Sequence, residues 1–316
     1  MNSSNFTTAP QPNTRVFFVL FFQGSTVLLS NLVLLLIILF HRRLAERKEF
    51  VVILCVALAD CMFGMCIWLS SITHFYYHLF TERSAFFTHR ECLLLYPNIA
   101  LAVFWSHAQV FALLIQSIDR LISIKRPLFH LGLGTSYVWC MALAALLFVF
   151  TESAVILVTS WCSPLRYTTF CIVASVLTPR AFQIWNGAHL LTGLVSTLLF
   201  GLGLLSYTAH MNRVMPDNEG AKAAHLKSQR KMTVSVGISC SFTCLFFLTP
   251  RLLNIILLKT LPQSTLALAL RQMSVLLYSL NCSFNLPIYW KRHKEISLGF
   301  RYLLKCKQLP ASLSTL

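Results

Sequence analysis

The sequence of 316 residues predicts an all-α membrane protein, a seven-transmembrane helix bundle followed by a short amphipathic helix. Three observations carry this reading. Hydrophobic residues make up 56 % of the chain and charged residues 11 %, against roughly half and a quarter in water-soluble domains. Seven apolar stretches are each long enough to cross a hydrocarbon core, which takes about 20 helical residues. The formal charge of +16 sits in short basic runs between those stretches rather than along one amphipathic face, the pattern of membrane loops and not of a nucleic-acid surface. A cytosolic enzyme, a disordered chain and a disulfide-stapled secreted domain are excluded.

In order, the stretches are 16–40 without charge, 50–72 with Asp60 alone, and 93–124, uncharged until Asp119. Then follow 137–160 with Glu152 alone, 181–208 without charge, 232–258 with Arg251 alone and 266–290 with Arg271 alone. The runs are continuous rather than alternating, which excludes a β-barrel. No stretch repeats another, so an inverted-repeat transporter has no support. One side of this arrangement carries 17 loop and tail Lys and Arg residues, the other side 6. Basic residues resist translocation, so the first side is cytoplasmic and the N-terminus lies outside a plasma membrane. Asn2 and Asn5 both head Asn-x-Ser/Thr sequons, useful only on a lumenal N-terminus. No basic n-region precedes the first stretch, and it is read as an uncleaved signal-anchor. The chain thus divides into an extracellular, glycosylated segment 1–15, a transmembrane domain 16–290 and a cytoplasmic amphipathic helix with tail 291–316.

Seven of the 11 cysteines fall inside the stretches and are read as small hydrophobes. Cys92, Cys162 and Cys171 lie in the oxidising compartment, where a disulfide persists. A bridge from Cys92 to the loop before the fifth stretch would pin that loop over the bundle mouth. Cys171 is the expected partner because it is mid-loop, although three cysteines leave Cys162 as an open alternative.

The segment Asp119-Arg120-Leu-Ile-Ser-Ile-Lys-Arg-Pro127-Leu128 resembles the D-R-Y-x-x-x-x-x-P signature of rhodopsin-like G-protein-coupled receptors, with Leu121 for Tyr. Further marks stand at the matching helices: Asn31 in the first, Ala57-Leu-Ala-Asp60 in the second, Trp139 in the fourth and Pro250 in the sixth. Asn281-Cys-Ser-Phe-Asn285-Leu-Pro287-Ile-Tyr289 is similar to the seventh-helix N-P-x-x-Y motif. The resemblance covers essentially the whole chain and is greatest to the nematode serpentine chemoreceptors. The departures are Leu286 between Asn285 and Pro287, Leu248 where a tryptophan is usual, no proline inside the fifth stretch, and 28 positions between Cys92 and Arg120, about three more than usual.

The resemblance implies a receptor that binds a small extracellular ligand and activates a heterotrimeric G protein, with no nucleic acid and no enzymatic reaction. It assigns Asp119, Arg120, Pro127, Pro250, Asn285, Pro287 and Tyr289 to activation and coupling. An arginine at a span end is costly unless partnered, and Asp119 is the adjacent acid. Proline-broken hydrogen bonds at Pro250 and Pro287 make kinks that are either pivots or static bends. Asn31, Asp60, Gln109 and Asn281 form the expected polar core. Receptors of this kind often hold sodium beside the aspartate, but Gln109 replaces the usual serine, and no cofactor or metal is expected.

The position of the carboxylate in amine receptors is Ala102, and that of the opsin lysine is Ser279, so amine and retinal ligands are not supported. Polar groups for a pocket are His107, Glu152, His189, Arg251 and Arg271, with Ala102, Trp105, Trp185 and Phe247 as apolar wall. Two readings stand for Arg251: it meets an anionic or hydrogen-bond-accepting ligand, or it pairs with Glu152 or snorkels outward. His107 and His189 are read as hydrogen-bonded bundle residues rather than metal ligands. After Tyr289, Ile296, Phe300, Leu303 and Leu304 recur at helical spacing among basic residues, an amphipathic helix on an anionic leaflet. It corresponds to the family's eighth helix, and Cys306 to its palmitoylated cysteine. Other readings are a neuropeptide receptor of the same class and a seven-helix transporter or channel. The latter would need a polar stripe through the bundle, and Gly-x-Ser-x-Gly and metal-spaced His/Glu motifs of an enzyme are missing.

Overall fold

The computed structural model describes residues 14–80, 87–163, 167–168, 171, 173–214, 237, 241–242, 244–260 and 265–307. Its elements are α1 (Thr14–Phe40), α2 (Arg42–Ala45), α3 (Lys48–Phe80), β1 (Phe87–Thr88), α4 (His89–Leu95), α5 (Pro97–Lys125), α6 (Pro127–Gly132) and α7 (Thr135–Trp161). There follow β2 (Tyr167–Thr168), α8 (Val173–Val176), α9 (Pro179–Val214), a π turn over Cys244–Leu248, α10 (Thr249–Thr260), α11 (Thr265–Ser283), α12 (Asn285–Arg292) and α13 (Lys294–Leu304). Among the described residues, α1, α3, α5, α7 and α9 are long and apolar enough to cross a membrane, and Cys244–Leu253 is a shorter apolar helical segment. Only fragments of the expected sixth stretch 232–258 are described before Cys244.

The helices pack by side chains that fit and by small residues where backbones meet. A Cβ on Gly24 would lie 2.8 Å from the Trp68 backbone nitrogen, and one on Gly64 would lie 2.8 Å from that of Leu28. The α1–α3 pair therefore closes through two reciprocal glycines, the small-residue contact that lets membrane helices approach. Ser117 of α5 and Ser196 of α9 share a 3.0 Å hydroxyl hydrogen bond. Leucines and phenylalanines on the outer faces of α7 and α9, such as Phe150 and Leu198, are exposed, as lipid-facing side chains are.

The third stretch departs from the continuous helix expected over 93–124. The chain breaks at Tyr96, whose φ of −125° and ψ of 70° are not helical, and α5 begins with Pro97 in its first turn. Proline excludes the preceding residue from helical geometry and suits a first turn, where its missing N–H is not needed. Cys92 therefore sits on the separate α4 and not on the helix that carries Arg120. Thr88 and Glu91 cap α4 reciprocally. These hydrogen bonds to the Thr88 backbone and hydroxyl hold the Glu91 carboxyl below its ordinary range.

A lid of loops covers this end. β1 pairs antiparallel with β2, Phe87 opposite Thr168, and Cys92 is disulfide-bonded to Cys171. Cys162 is a free, exposed thiol. Cys92, Tyr96, Ile99, Cys171 and Val176 form one buried cluster, so the covalent link is also a packing centre.

Both proline effects are visible in the last helices. The π turn ends two residues before Pro250, and the Thr249 hydroxyl donates to the Cys244 carbonyl at 3.0 Å. A widened turn is how a helix accommodates a residue that cannot donate. The seventh stretch breaks at Phe284, three residues before Pro287, giving α11 and α12. At the opposite end from the disulfide, α13 lays Ile296 into a core of Leu34, Ile37, Ile38, Phe50 and Ile53, with Phe300 and Leu303 against it. Leu304, expected on that apolar face, is exposed. The helix ends with Cys306 at φ 51° and with bonds from the N–H of Cys306 to Leu303 and of Lys307 to Tyr302, a Schellman closure usually built on glycine.

Candidate functional site

Two polar centres lie inside the bundle. The first is on the side of the disulfide. The rings of His107 on α5 and His189 on α9 stack at 3.7 Å between centroids, and both side chains are wholly buried. The two histidines lie on different helices, so α5 and α9 must cross face to face here. Glu152 of α7 places Oε2 3.4 Å from His107 Nδ1. His189 Nδ1 hydrogen-bonds the Trp185 carbonyl at 2.8 Å, which orients the ring. The Trp185 ring lies edge-on to His189 at 4.7 Å.

Arg251, directly after the Pro250 kink, hydrogen-bonds the Asn186 side-chain carbonyl. Its guanidinium lies 4.6 Å from the centre of the Trp185 ring, 5.6 Å from Phe247 and 5.5 Å from Tyr278. A cation among three aromatic faces is held by their quadrupoles in place of water. The Arg251–Glu152 pair, one of the alternatives for Arg251, is not among the ion pairs of the described residues: Glu152 faces His107 and Arg251 faces Asn186. Gly193 matters locally, since a Cβ there would meet Leu248 at 2.8 Å and Phe247 at 3.1 Å. His107 Nδ1 and Glu152 Oε2 face each other without hydrogen-bond alignment, and His107 Nε2 and His189 Nε2 are buried beside them without an aligned partner. No cluster with metal-binding geometry occurs among the described residues.

Of the expected pocket residues, His107, Glu152, Trp185, His189, Phe247 and Arg251 are brought together. Trp105 is half-buried against the cluster that contains Phe247 and Tyr278, and Ala102 is half-buried on α5. The Arg271 side chain lies outside the described residues, as do Asn2 and Asn5. Tyr278 was not among the expected site residues. The available signal was chemical rather than positional: a tyrosine inside an apolar span needs a hydroxyl partner.

Tyr278 joins the first centre to the second. Its hydroxyl donates to Gln109 Oε1, which fixes the amide so that Gln109 Nε2 donates to Asp60 Oδ1 at 2.6 Å. Asn285 Nδ2 donates to Asp60 Oδ2. Asn31 belongs to the neighbouring backbone, donating to the carbonyls of Val27 and Cys282 at 2.9 and 3.1 Å, and not to Asp60. Asn281 lines the same small void of about 10 Å³ as Asp60, Gln109, Tyr278 and Asn285, room for a single water. Both Asp60 oxygens face amide N–H groups, so a sodium ion would meet donors where it needs oxygens. The residues do not fit that ion.

The second centre continues toward α13. Gln116 Nε2 donates to the buried Tyr289 hydroxyl at 3.1 Å. Arg120 folds back on Asp119, its Nε 3.0 Å from Oδ2, and His130 Nε2 meets the other Asp119 oxygen at 2.9 Å. His130 is presented by α6, which Pro127 starts. Lys48 holds that helix by donating to the carbonyls of His130 and Leu133. Asp119, Arg120 and Tyr289 are all nearly inaccessible. Cys306 is exposed at the end of α13.

The sequence matches the family described as serpentine type 7TM GPCR chemoreceptor Srsx over residues 22–304. No curated protein matches the chain.

Proposed function

The chain belongs to the Srsx family of serpentine chemoreceptors, receptors rather than enzymes, and from that premise we propose a specific signalling path. The protein spans the plasma membrane seven times, with the π turn and α10 in the sixth span and α11–α12 as the seventh. Its glycosylated N-terminus is outside, and α13 lies as an eighth helix on the cytoplasmic leaflet. A small extracellular ligand enters at the disulfide-pinned end and places a polar group among His107, His189, Glu152 and Arg251. Binding shifts a pre-existing equilibrium toward a state in which the sixth span moves outward about Pro250. The latch of Asp119, Arg120 and His130 opens, and Arg120 and Tyr289 receive a heterotrimeric G protein.

The observation that carries this reading is the double role of Tyr278. Its ring is a face of the Arg251 cage, and its hydroxyl holds Gln109, which holds Asp60. Any ligand that displaces Arg251 acts on a residue bonded to the inner polar core at Asp60. The test is nucleotide exchange by purified G proteins of each class on nanodisc-held receptor, with wild type, Arg120→Ala and Tyr278→Phe. Ligand-dependent exchange lost in Arg120→Ala and weakened in Tyr278→Phe is the expected result. Solute or ion flux that is unaltered by Arg120→Ala, without any nucleotide exchange, overturns it in favour of transport.

A further inference from the structure

Two helical segments are weakened beside a proline, and three phenylalanine rings join the weak points. In one segment the π turn over Cys244–Leu248 ends two residues before Pro250. In the other, α11 ends at Ser283 and α12 begins at Asn285, so Phe284 stands at the break, with Pro287 in the following turn. The Phe284 ring lies 4.7 Å from that of Phe242 and 6.2 Å from that of Phe246, centre to centre. Phe242 and Phe246, four residues apart, stack on each other at 5.5 Å. The three rings are inclined by only 20°, 24° and 33° to one another, within the spacing and the offset-stacked arrangement that ring quadrupoles favour. All three are half-buried, whereas Phe148 and Phe150 stand exposed on the outer face of α7. The next residue, Phe247, serves the other side: it is wholly buried, 5.0 Å from the Tyr278 ring and 5.6 Å from the Arg251 guanidinium. Adjacent residues of the π turn thus belong to the Arg251 cage and to the three-ring stack.

We propose that Phe284 is a positioning residue of activation: its ring clasps Phe242 and Phe246 and holds the segment before Pro250 against the seventh span in the resting state. This rests on the receptor reading above and names the contact that keeps the sixth span in place. Motion about Pro250 carries Phe242 and Phe246 along, because both precede the proline, while Phe284 belongs to the other span. The stack is therefore closed at rest and parted in the open state. Two of its ring pairs cross between the spans, and each such pair favours the closed state by about two- to tenfold beyond the apolar area it covers. Loss of the Phe284 ring shifts the population toward the open state by about tenfold in consequence.

The experiment reads basal nucleotide exchange by purified G proteins of each class on full-length receptor in lipid nanodiscs, with no ligand added. Phe284→Leu keeps an apolar side chain and removes the ring; it should raise basal exchange about tenfold. Phe284→Tyr keeps the ring and should restore the wild-type level. The pair Phe242→Leu and Phe246→Leu should raise exchange as Phe284→Leu does, and joining all three changes should add little, because the same contact is lost once. Phe150→Leu, on the exposed face of α7, should leave exchange as it is. A ring that only supports the fold would lower exchange together with the folded fraction, so the sign of the change separates the two roles. A second readout replaces Phe284 by the photoreactive p-benzoylphenylalanine and locates its crosslinks by mass spectrometry. Links to residues 242–246 should dominate in receptor alone and fall several-fold when nucleotide-free G protein holds the open state. Exchange that is unchanged or lowered in both Phe284→Leu and the Phe242–Phe246 pair, or crosslinks undiminished in the G-protein complex, overturns the proposal and leaves the receptor reading standing. Absence of exchange and of G-protein binding in wild type and every variant overturns the receptor reading itself, and the proposal with it.

Discussion

Replacing Gln109 by leucine should destabilise the bundle by removing the residue that bonds three helices at once. The amide of Gln109 donates to Asp60 of α3 at 2.6 Å and accepts from Tyr278 of α11, and all three side chains are buried. Interhelical polar contacts in membranes contribute about 0.6 kcal/mol on average and up to about 1.7. Two short, buried ones lie toward the upper end, so the expected loss is about 2–3 kcal/mol. Tyr278→Phe removes one of them and should cost about 1 kcal/mol. In the double variant the tyrosine no longer has a Gln109 partner to lose, so the combined cost should fall short of the sum by about 1 kcal/mol. The assay is thermal unfolding in nanodiscs, followed by a thiol-reactive dye that reaches Cys61, Cys66 and Cys282, buried in the folded protein. At roughly 2 °C per kcal/mol for a chain of this size, Gln109→Leu should lower the midpoint by about 5 °C. An unchanged midpoint in Gln109→Leu, or strict additivity in the double variant, would refute the network.

Gly64→Val should drive a side chain into the Leu28 backbone, where even a Cβ would stand at 2.8 Å; overpacking of this kind costs about 1–3 kcal/mol, seen as lost surface staining. Cys92→Ser should lower the thermal midpoint and abolish its sensitivity to reductant, because the Cys92–Cys171 bridge closes a sequence separation of 79; a midpoint still sensitive to reductant would mean a bridge that does not use Cys92. His293, just beyond α12, is buried beside Phe50 and Tyr289. Burial pushes its pKa down from 6.5 to about 4, opposed by Glu295 and reinforced by Arg120 and Arg47. With the folded value depressed, the unfolded segment takes up the proton first. The docking of α13 should therefore weaken as pH falls from 6.5 towards 4, by up to about 3 kcal/mol. Hydrogen exchange over Ile296–Leu304, corrected for intrinsic rates, should show this loosening in wild type and not in His293→Phe.

The helices were legible because lipid imposes its own grammar. Runs such as 50–72 and 137–160 must be helical, since every backbone group there needs an internal partner. The polar centres were legible as rarities: Asp60, Gln109, Glu152 and Arg251 stand out in segments where charge is expensive. Their partners were not legible. Nothing in the spacing of Glu152 and Arg251 says that they turn to His107 and Asn186, because helix rotation is decided by packing against neighbours. His130 lay in a loop of no marked composition, and only the turn made by Pro127 returns it to Asp119. The break at Tyr96 was written in Pro97 itself, but an apolar run on both sides hid it.

What the sequence by itself determined is therefore the medium, the helical class and the family, because apolar length, charge placement and the Asp119–Arg120…Pro127 spacing are properties of single segments. What only the tertiary structure decided is which polar atoms meet. The stacking of His107 on His189, the aromatic cage of Arg251, the place of Tyr278 between two centres and the approach of Glu152 to His107 all depend on how far each helix is turned about its axis. That rotation is set by contacts between residues far apart in the chain, such as Gly24 with Trp68 and Gly193 with Phe247, and no local pattern records it.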